Sequence, residues 1–337
     1  MDRPLTRLLV IYPGALGDTL VALPVLAALK QSYAPAVLEL IGHPALLEVL
    51  PGRSAVDRMR SIEGPEFHAL LGDLEAIPTV QQALFERFDV AIAWVPDSEG
   101  QLKRTLMKLR IPCVIVRSPG LREPGLRHAM ERFRDTLSKL DRPFCPTPAT
   151  LIPTDLDLAS GRTRLIQAGL DPAVVPVVAV HPGSGSPFKC WPADRFADLI
   201  RELLRQGAGI VVLEGPADSD TGAVLTRLLA PLRVPRLTNC GLATVVRVLA
   251  HCRAFVGNDS GLTHLAAALG IPTICVWGPT DPAVWAPWGN HVLALRGDAE
   301  CRCPKREDQL WCLDRVCLSI PVQRVQEALQ HTVFDAV

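Results

Sequence analysis

Short, continuous apolar runs recur along the chain, and segments with helical spacing of their apolar residues separate them. Such runs are typical of strands that are buried on both faces of a parallel sheet. They lie at 8–12, 37–41, 89–95, 112–116, 174–180, 210–213, 254–256, 271–277 and 291–295. Strands that alternate with helices predict an α/β fold, with helices on both faces of each sheet.

Apolar residues three and four positions apart predict helices between these strands. The predicted helices lie at 19–31, 45–50, 101–109, 128–140, 193–206, 218–229, 242–251, 262–269 and 322–333. Residues 141–157 contain four prolines and little helical pattern, so we predict a linker there. The expected architecture is two doubly wound domains that face a central cleft, with ligands at the carboxyl ends of the strands.

The composition is that of a folded protein without a surplus of either charge. The chain has 337 residues, of which 48% are hydrophobic and 21% charged, so we expect little disorder and room for two domains. The net charge of +0 provides no basic surplus for binding phosphates, and we expect no nucleic-acid partner. No apolar run reaches membrane-spanning length and no secretory signal pattern is present, which predicts a cytoplasmic protein.

Ten cysteines are present, and those scattered beside apolar segments are typical of reduced thiols in a cytosolic protein. Four others lie close together in the sequence, at Cys301, Cys303, Cys312 and Cys317. Four neighbouring thiols could hold zinc, but their CxC and CxxxxC spacing differs from the paired CxxC motifs of structural zinc sites. The sequence leaves this question open, and we include no metal in the predicted site.

The turn at 257–264 joins a predicted strand to a predicted helix and contains Asp259, Ser260 and Gly261. The free N–H groups and the dipole at a helix N-terminus attract anions, and glycine lets a phosphate approach the backbone closely. The alternative is that Asp259 or Ser260 only caps the helix. His264, further along the same helix, is either a ligand or a histidine satisfied within the core.

A second polar turn, at 13–18, contains Gly14, Gly17 and Asp18. It lacks the GxGxxG pattern of dinucleotide-binding folds, and the chain contains no P-loop motif. We interpret it as a loop that another molecule can approach closely. Asp18 at the start of the following helix is either a functional carboxylate or a helix cap.

A third polar turn, at 181–191, places Lys189 close to Trp191 within a stretch rich in glycine and serine. An isolated lysine in such a turn can contact a phosphate. The alternative is a surface lysine whose alkyl chain covers the aromatic ring.

These turns together resemble the motifs of glycosyltransferase family 9, the family of bacterial lipopolysaccharide heptosyltransferases. The motifs run from Gly14 to Asp18 and on to Pro24, from His181 to Ser184 and on to Pro192, and from Asn258 to His264, with a further block from Gly278 to Pro282. The resemblance covers nearly the whole chain, and the cysteines of the tail are similar to those of many members. It implies a GT-B fold of two Rossmann-like domains, with acceptor binding in residues 1–157, nucleotide-sugar binding in 158–320 and a C-terminal helix in 321–337.

The resemblance also implies an inverting, metal-independent transfer, usually from ADP-L-glycero-β-D-manno-heptose to the inner core of lipopolysaccharide. The implied partners are this nucleotide-sugar donor, which is a substrate, and a lipid-linked oligosaccharide acceptor; no cofactor is expected. Such a transfer needs a base for the acceptor hydroxyl and positive groups on the departing diphosphate. By resemblance Asp18 is the base, in a loop with Gly14 and Gly17 on the acceptor side. The implied donor site consists of Ser184, Lys189, Glu214, Asp259, Ser260, Gly261 and His264.

Two features near 214–220, a glutamate and a pair of aspartates, fit this pattern less closely. Glu214 is an inexact match to the glutamate with which family members hold the donor ribose. Asp218 and Asp220 form a DxD pattern like that of metal-dependent glycosyltransferases, but they open a predicted helix after Gly215 and Pro216. We therefore interpret this pattern as helix capping.

Two other functions are compatible with the residues. One is a nucleotide-sugar epimerase or hydrolase on the same scaffold, which would convert the donor without an acceptor. The other is a non-catalytic nucleotide-binding protein, which would bind ADP without turnover; Asp18 and Lys189 argue against it.

Basic residues are concentrated in one part of the N-terminal half, at Arg104, Lys108, Arg110, Arg117, Arg122 and Arg127. We predict that they contact lipid or acceptor phosphates, which would place the protein peripherally on the cytoplasmic face of the inner membrane. The alternative is a solvated surface without a partner.

Overall fold

Residues 1–151 and 152–337 form separate α/β units in the computed structural model. The structure describes residues 5–72, 78–121, 127–140, 145–148, 150–289, 291–297, 312 and 314–333. Each unit contains one sheet in which neighbouring strands pair in parallel. The predicted α/β class is therefore confirmed, whereas the ligand that each unit binds stays a prediction.

The first unit is built around a five-stranded sheet. Its strands are β1 (Thr6–Tyr12), β2 (Ala36–Gly42), β3 (Arg58–Ser61), β4 (Val90–Ala93) and β5 (Cys113–Val116). Its helices are α1 (Leu16–Ser32), α2 (Pro65–Leu70), α3 (Thr79–Phe85), α4 (Gln101–Lys108) and α5 (Ala129–Thr136). The strand order β3-β2-β1-β4-β5 is that of a Rossmann-like fold with β1 at its centre.

The second unit has a six-stranded sheet of the same topology, counted from β6. Its strands are β6 (Val177–His181), β7 (Gly209–Glu214), β8 (Arg236–Thr238), β9 (Ala254–Asn258), β10 (Thr273–Val276) and β11 (Val292–Leu295), in the order β11-β10-β9-β6-β7-β8. Its helices are α6 (Asp155–Gln167), α7 (Ala193–Arg205), α8 (Ser219–Leu229), α9 (Leu242–Leu249), α10 (Gly261–Ala268), α11 (Pro282–Trp285) and α12 (Val322–Val333).

The central strands are buried, as continuous apolar runs predict. Every residue of β1 from Leu8 to Ile11 is 0% exposed. Glu39 of β2 is also buried, and its carboxylate accepts hydrogen bonds from Arg60 Nε at 2.5 Å and Arg87 Nη2 at 2.8 Å. A buried carboxylate is tolerated there because two guanidinium groups compensate its charge.

Part of the predicted linker is helical, since α6 begins at Asp155. A reciprocal capping box starts this helix: Thr154 Oγ1 accepts from the Asp157 amide at 3.2 Å, and Asp157 Oδ2 accepts from the Thr154 amide at 2.9 Å. Close packing against α9 requires Gly161, because a Cβ there would lie 1.9 Å from the Arg247 carbonyl oxygen. The buried residues of this helix are Asp157, Gly161 and Leu165, whereas Leu156 and Ile166 are exposed, so its apolar residues do not mark its buried face in the sequence.

Other differences are short elements and element ends. The helix predicted at 45–50 is a 3-10 turn at Pro44–Leu46 followed by irregular turns. Helix α1 begins at Leu16 rather than at residue 19, so Pro24 lies in the helix interior instead of the first turn. The elements β3, α2, α3, β8 and α11 have no counterpart in the predicted pattern. They are all short, and several lack a sustained apolar period.

The basic region of the first unit is partly neutralised by its own chain. Arg127 forms ion pairs with Asp135 and, at 3.7 Å, with Glu131, while Arg117 Nη1 donates to the Asp135 carbonyl oxygen at 3.3 Å. Arg122 lies outside the described residues. Within the described part of the chain, no helix has the length and apolar character that crossing a bilayer requires.

Candidate functional site

The polar turns of the second unit follow adjacent parallel strands. His181 ends β6, Glu214 ends β7 and Asn258 ends β9. Strand β6 lies between β7 and β9 in the sheet. The turns that follow these strands therefore meet at the carboxyl edge of the sheet, where doubly wound folds bind their ligands.

Asn258 ties two of these turns together. Its Oδ1 atom accepts from the Trp191 amide at 2.9 Å, and its Nδ2 atom donates to the carbonyl oxygens of Pro182 at 2.9 Å and Gly183 at 3.1 Å. The side chain is 0% exposed, so its donor and its acceptor are both satisfied internally. Asparagine is required because aspartate could not donate to the two carbonyl groups.

Asp259 connects three residues of the predicted site. Its Oδ2 atom lies 2.6 Å from Lys189 Nζ and accepts from Thr280 Oγ1 at 2.6 Å. Its carbonyl oxygen accepts from Ser184 Oγ at 2.7 Å. Because Ser260 is the residue that caps α10, the interpretation of Asp259 as the cap is wrong. The buried Asp259 carboxylate instead holds a partly exposed ammonium group at the edge of the sheet.

Ser260 and Gly261 form the N-terminus of α10. Ser260 Oγ accepts from the Thr263 amide at 3.4 Å, which identifies Ser260 as the N-cap. The N–H groups of the first helical turn have no acceptor within the helix, and the helix dipole adds positive potential there. His264 lies on the same helix and is buried. The structure thus places Ser260 and Gly261 beside Lys189 and Ser184, an arrangement suited to binding an anion.

His181 begins one of the sequence motifs and Asp218 belongs to the DxD pattern, but neither is among the predicted site residues, and the sequence gives no reason to pair them. His181 Nδ1 lies 3.2 Å from Ser260 Oγ, and His181 Nε2 lies 3.0 Å from Asp218 Oδ2. Asp218 Oδ2 also accepts from the Gly215 amide at 2.7 Å. Burial raises the pKa of the Asp218 carboxyl, but its hydrogen bonds and the charge of His181 outweigh burial, and the pKa lies below its ordinary value.

The lowered pKa of Asp218 predicts a pH-dependent contribution to stability. Since the pKa is lower in the folded than in the unfolded chain, the stabilisation is fully present above the unfolded pKa of about 3.9 and is lost as pH falls through the folded pKa. Asp218→Asn should therefore destabilise the protein by about 2 kcal/mol at neutral pH. Urea unfolding should show this difference shrinking below about pH 4; an equal difference across the range would contradict the assignment.

Glu214 is already engaged by protein groups. Its carboxylate pairs with the Arg236 guanidinium, with 3.0 Å between Arg236 Nε and Glu214 Oε2, and it accepts from Thr238 Oγ1 at 3.3 Å. Gly222 makes room for it, because a Cβ there would lie 2.3 Å from Glu214 Oε1. A ribose hydroxyl would have to share this carboxylate with Arg236, so the ribose contact stays a prediction.

The first unit places Gly14, Gly17 and Asp18 together at the carboxyl end of β1. Asp18 lies in the first turn of α1, whose N-cap is Ala15. Gly14 is required because a Cβ there would lie 2.2 Å from the Tyr12 ring. Burial and then the nearby Asp18 charge raise the pKa of Tyr12, which keeps the phenol protonated beside a half-buried carboxylate.

The cysteine cluster of the tail falls mainly outside the described residues. Cys301 and Cys303 are not described, whereas Cys312 is half-buried and Cys317 is buried. Near the site, burial and then the Asp218 charge raise the pKa of the Cys190 thiol to about 11. This thiol is therefore protonated and unreactive at neutral pH.

Two Rossmann-like units, one with a carboxylate loop and one with an anion-binding edge, are the features of a GT-B glycosyltransferase. The model of glycosyltransferase family 9 (heptosyltransferase) matches residues 113–313, and the chain belongs to this family. It is accordingly a glycosyltransferase, and the predicted family and fold class are confirmed.

Relatives and solved structures agree with this assignment. Lipopolysaccharide heptosyltransferase 1 of Pseudomonas aeruginosa is 27% identical over 94% of this chain and 89% of its own length. Lipopolysaccharide heptosyltransferase 3 of Escherichia coli is 23% identical over 87% of this chain and 88% of its own. The crystal structure of a family 9 glycosyl transferase from Veillonella parvula is similar in fold, with a TM-score of 0.80 and 19% identity over 100% of this chain and 99% of that one.

Proposed function

We propose that this enzyme transfers a heptose or a related sugar from an ADP-sugar to a lipopolysaccharide core or a similar glycan. The transfer inverts the anomeric carbon and uses no metal. The observation that carries the proposal is the cluster of Lys189, Ser184 and Asp259 at the N-terminus of α10. Support for the donor comes from E. coli heptosyltransferases of similar fold, solved with ADP and with ADP-2-deoxy-2-fluoro heptose.

The donor diphosphate gains negative charge as its bond to the sugar breaks, so groups that stabilise this charge accelerate the reaction. The Lys189 ammonium and the amides of Ser260 and Gly261 supply positive potential at one place. Ser184 joins the 181–191 turn to this helix terminus through its hydrogen bond to the Asp259 carbonyl oxygen, and His264 adds a further hydrogen-bonding group. Charge compensation by lysine and helix N–H groups is what makes a metal unnecessary in this proposal.

Asp18 acts as the base for the acceptor. Its carboxylate takes the proton of the acceptor hydroxyl while the hydroxyl oxygen bonds to the anomeric carbon and the diphosphate leaves with the electrons of the broken bond. Attack from the face opposite the leaving group inverts the configuration. Gly14 and Gly17 carry no side chains, which leaves room on either side of Ala15 and Leu16 for the acceptor to approach the backbone.

Product analysis tests this proposal. The enzyme is incubated with ADP-, UDP- and GDP-sugars, with and without lipid A–Kdo acceptors, and the products are analysed by mass spectrometry. We expect the mass of one heptose on the acceptor only when ADP-heptose and acceptor are both present, with inverted configuration by NMR. Donor conversion without acceptor would favour an epimerase or hydrolase, and ADP binding without any turnover would favour a non-catalytic protein.

The same proposal places the enzyme in the cytoplasm, at the membrane surface where a lipid-linked acceptor is exposed. The exposed side chains of Arg104 and Lys108 on α4 are the groups proposed to contact anionic headgroups. Reversing both charges should weaken co-sedimentation with anionic vesicles. Unchanged binding would leave these residues as an ordinary solvated surface.

A further inference from the structure

His181 connects a buried carboxylate to the residue that caps α10. The His181 and Asp218 side chains are each 5% exposed, so solvent does not compete strongly for their hydrogen bond. Asp218 also lies directly against the 181–191 turn, because a Cβ at Gly183 would be 1.7 Å from Asp218 Oδ1. Ser260, at the other end of this chain of hydrogen bonds, is part of the proposed diphosphate site.

The charge of Asp218 fixes one proton on the imidazole ring. An ionised carboxylate can only accept, so His181 Nε2 must carry the hydrogen that joins it to Asp218. The state of His181 Nδ1 then decides the direction of the Ser260 hydroxyl. A neutral ring accepts the Ser260 hydrogen. A protonated ring instead donates to Ser260 Oγ, and the Ser260 hydrogen then goes to a bound phosphate or to Thr263 Oγ1, which lies 3.2 Å away and donates its own hydrogen to the Asn258 carbonyl oxygen.

We propose that His181, held by Asp218 and protonated on both ring nitrogens, aims the Ser260 hydroxyl at the donor diphosphate. His181 and Asp218 are thus positioning residues for donor binding, and this inference rests on the proposed function of the site. The chain of donors runs from His181 Nδ1 to Ser260 Oγ and from Ser260 Oγ to a phosphate oxygen. Linked donors of this kind polarise one another and strengthen the final hydrogen bond.

Electrostatics favour the doubly protonated ring when the donor is bound. A buried carboxylate beneath an anion site would repel the diphosphate, and a proton on His181 cancels that charge. Around His181, the other charged or titratable side chains include two ion pairs, Glu214 with Arg236 and Lys189 with Asp259. The remaining ones are Cys190, His264 and Arg315. Glu214 and Asp259 each have a cationic partner of their own, so Asp218 is the carboxylate that His181 compensates.

Two substitutions of His181 separate its two contacts. In His181→Asn, the amide nitrogen occupies the place of Nδ1 and can still donate to Ser260, but it cannot reach Asp218. In His181→Gln, the amide reaches Asp218 and loses Ser260. ADP affinity is measured by calorimetry on the full-length protein, for these variants, Ser260→Ala and the double variant His181→Gln/Ser260→Ala.

We expect His181→Gln to weaken ADP binding about tenfold and His181→Asn no more than about threefold. The double variant should bind ADP no more weakly than Ser260→Ala does, since both changes remove the same hydrogen bond to a phosphate oxygen. In transfer assays, His181→Gln should raise the KM for the donor and leave the KM for the acceptor unchanged.

The inference is overturned if His181→Gln binds ADP like the wild type, or if its effect adds fully to that of Ser260→Ala. Thermal unfolding of each variant checks its folding. If His181→Gln does not fold, Asp218→Asn takes its place, with the same expected loss of ADP affinity. Failure of the wild type to bind ADP is a separate outcome, which would contradict the proposed donor site and this inference together.

Discussion

Replacing Asp18 by Asn is expected to slow sugar transfer about a thousandfold while leaving ADP affinity unchanged. The carboxamide has the size of the carboxylate but cannot take a proton from the acceptor hydroxyl. The loss should therefore appear in kcat rather than in the KM for the donor. Asp18 lies in the first turn of α1, so removing its charge should cost less than about 1 kcal/mol of stability.

The matched control is Asp155→Asn, which neutralises an exposed carboxylate in the first turn of α6. It should leave the transfer rate unchanged. Initial rates with saturating donor and acceptor, together with ADP calorimetry, measure the effect. If Asp18→Asn kept the wild-type rate, Asp18 could not be the base, although the donor site would be unaffected.

The second large effect is expected at Lys189. Lys189→Ala should lower kcat/KM about a hundredfold and weaken ADP binding, because it removes the ammonium group that we propose stabilises the departing diphosphate. It also leaves the Asp259 carboxylate, 8% exposed, without its cationic partner. An uncompensated carboxylate at an anion site repels the donor, so the effect should exceed that of losing one hydrogen bond.

Lys103→Ala is the control for this change, because Lys103 is an exposed lysine on α4 of the first unit. Its ADP affinity should equal that of the wild type. Lys189→Arg should restore only part of the binding, since a planar guanidinium does not reproduce a compact ammonium held 2.6 Å from Asp259. Wild-type ADP affinity in Lys189→Ala would mean that the diphosphate binds elsewhere.

The sheets follow from the sequence because their central strands are buried on both faces. A run such as Leu8 to Tyr12 is apolar at every position, and burial of β1 is what that pattern requires. Short edge strands lack this signal: β3 contains Arg58 and Arg60, and the Arg60 guanidinium is drawn to the buried Glu39. The position of β3 therefore depends on a contact between residues that are distant in the sequence, and a local sequence pattern cannot predict such a contact.

Some residues of the candidate site could likewise be predicted from the sequence, and others could not. Ser184, Lys189 and Ser260 stand in polar turns after strands, and turns of this kind are recognisable from the sequence. Asn258 and Thr280 act on the backbone or on another side chain of the site, so their importance appears only when the turns are assembled. A signal for Asn258 was available, because a polar residue that ends an apolar strand needs internal partners.

The predicted capping role of Asp218 is only part of its function. Its carboxylate caps the 3-10 turn Pro216–Asp218 through the Gly215 amide, and it also pairs with His181. Asp218 precedes α8, where an aspartate is typical of a helix start, and the pattern gives no reason to pair it with a residue on β6. The structure shows that its partners are His181 and the Gly215 amide and that it makes no side-chain cap to α8.

The measurement that tests the account most directly is a crystal structure of the wild-type protein with ADP bound. The account predicts diphosphate oxygens within hydrogen-bonding distance of Lys189 Nζ and of the Ser260 and Gly261 amides. It also predicts that the Ser260 hydroxyl oxygen contacts a phosphate oxygen while keeping its contact with His181. A diphosphate bound away from the N-terminus of α10 would contradict the proposed donor site.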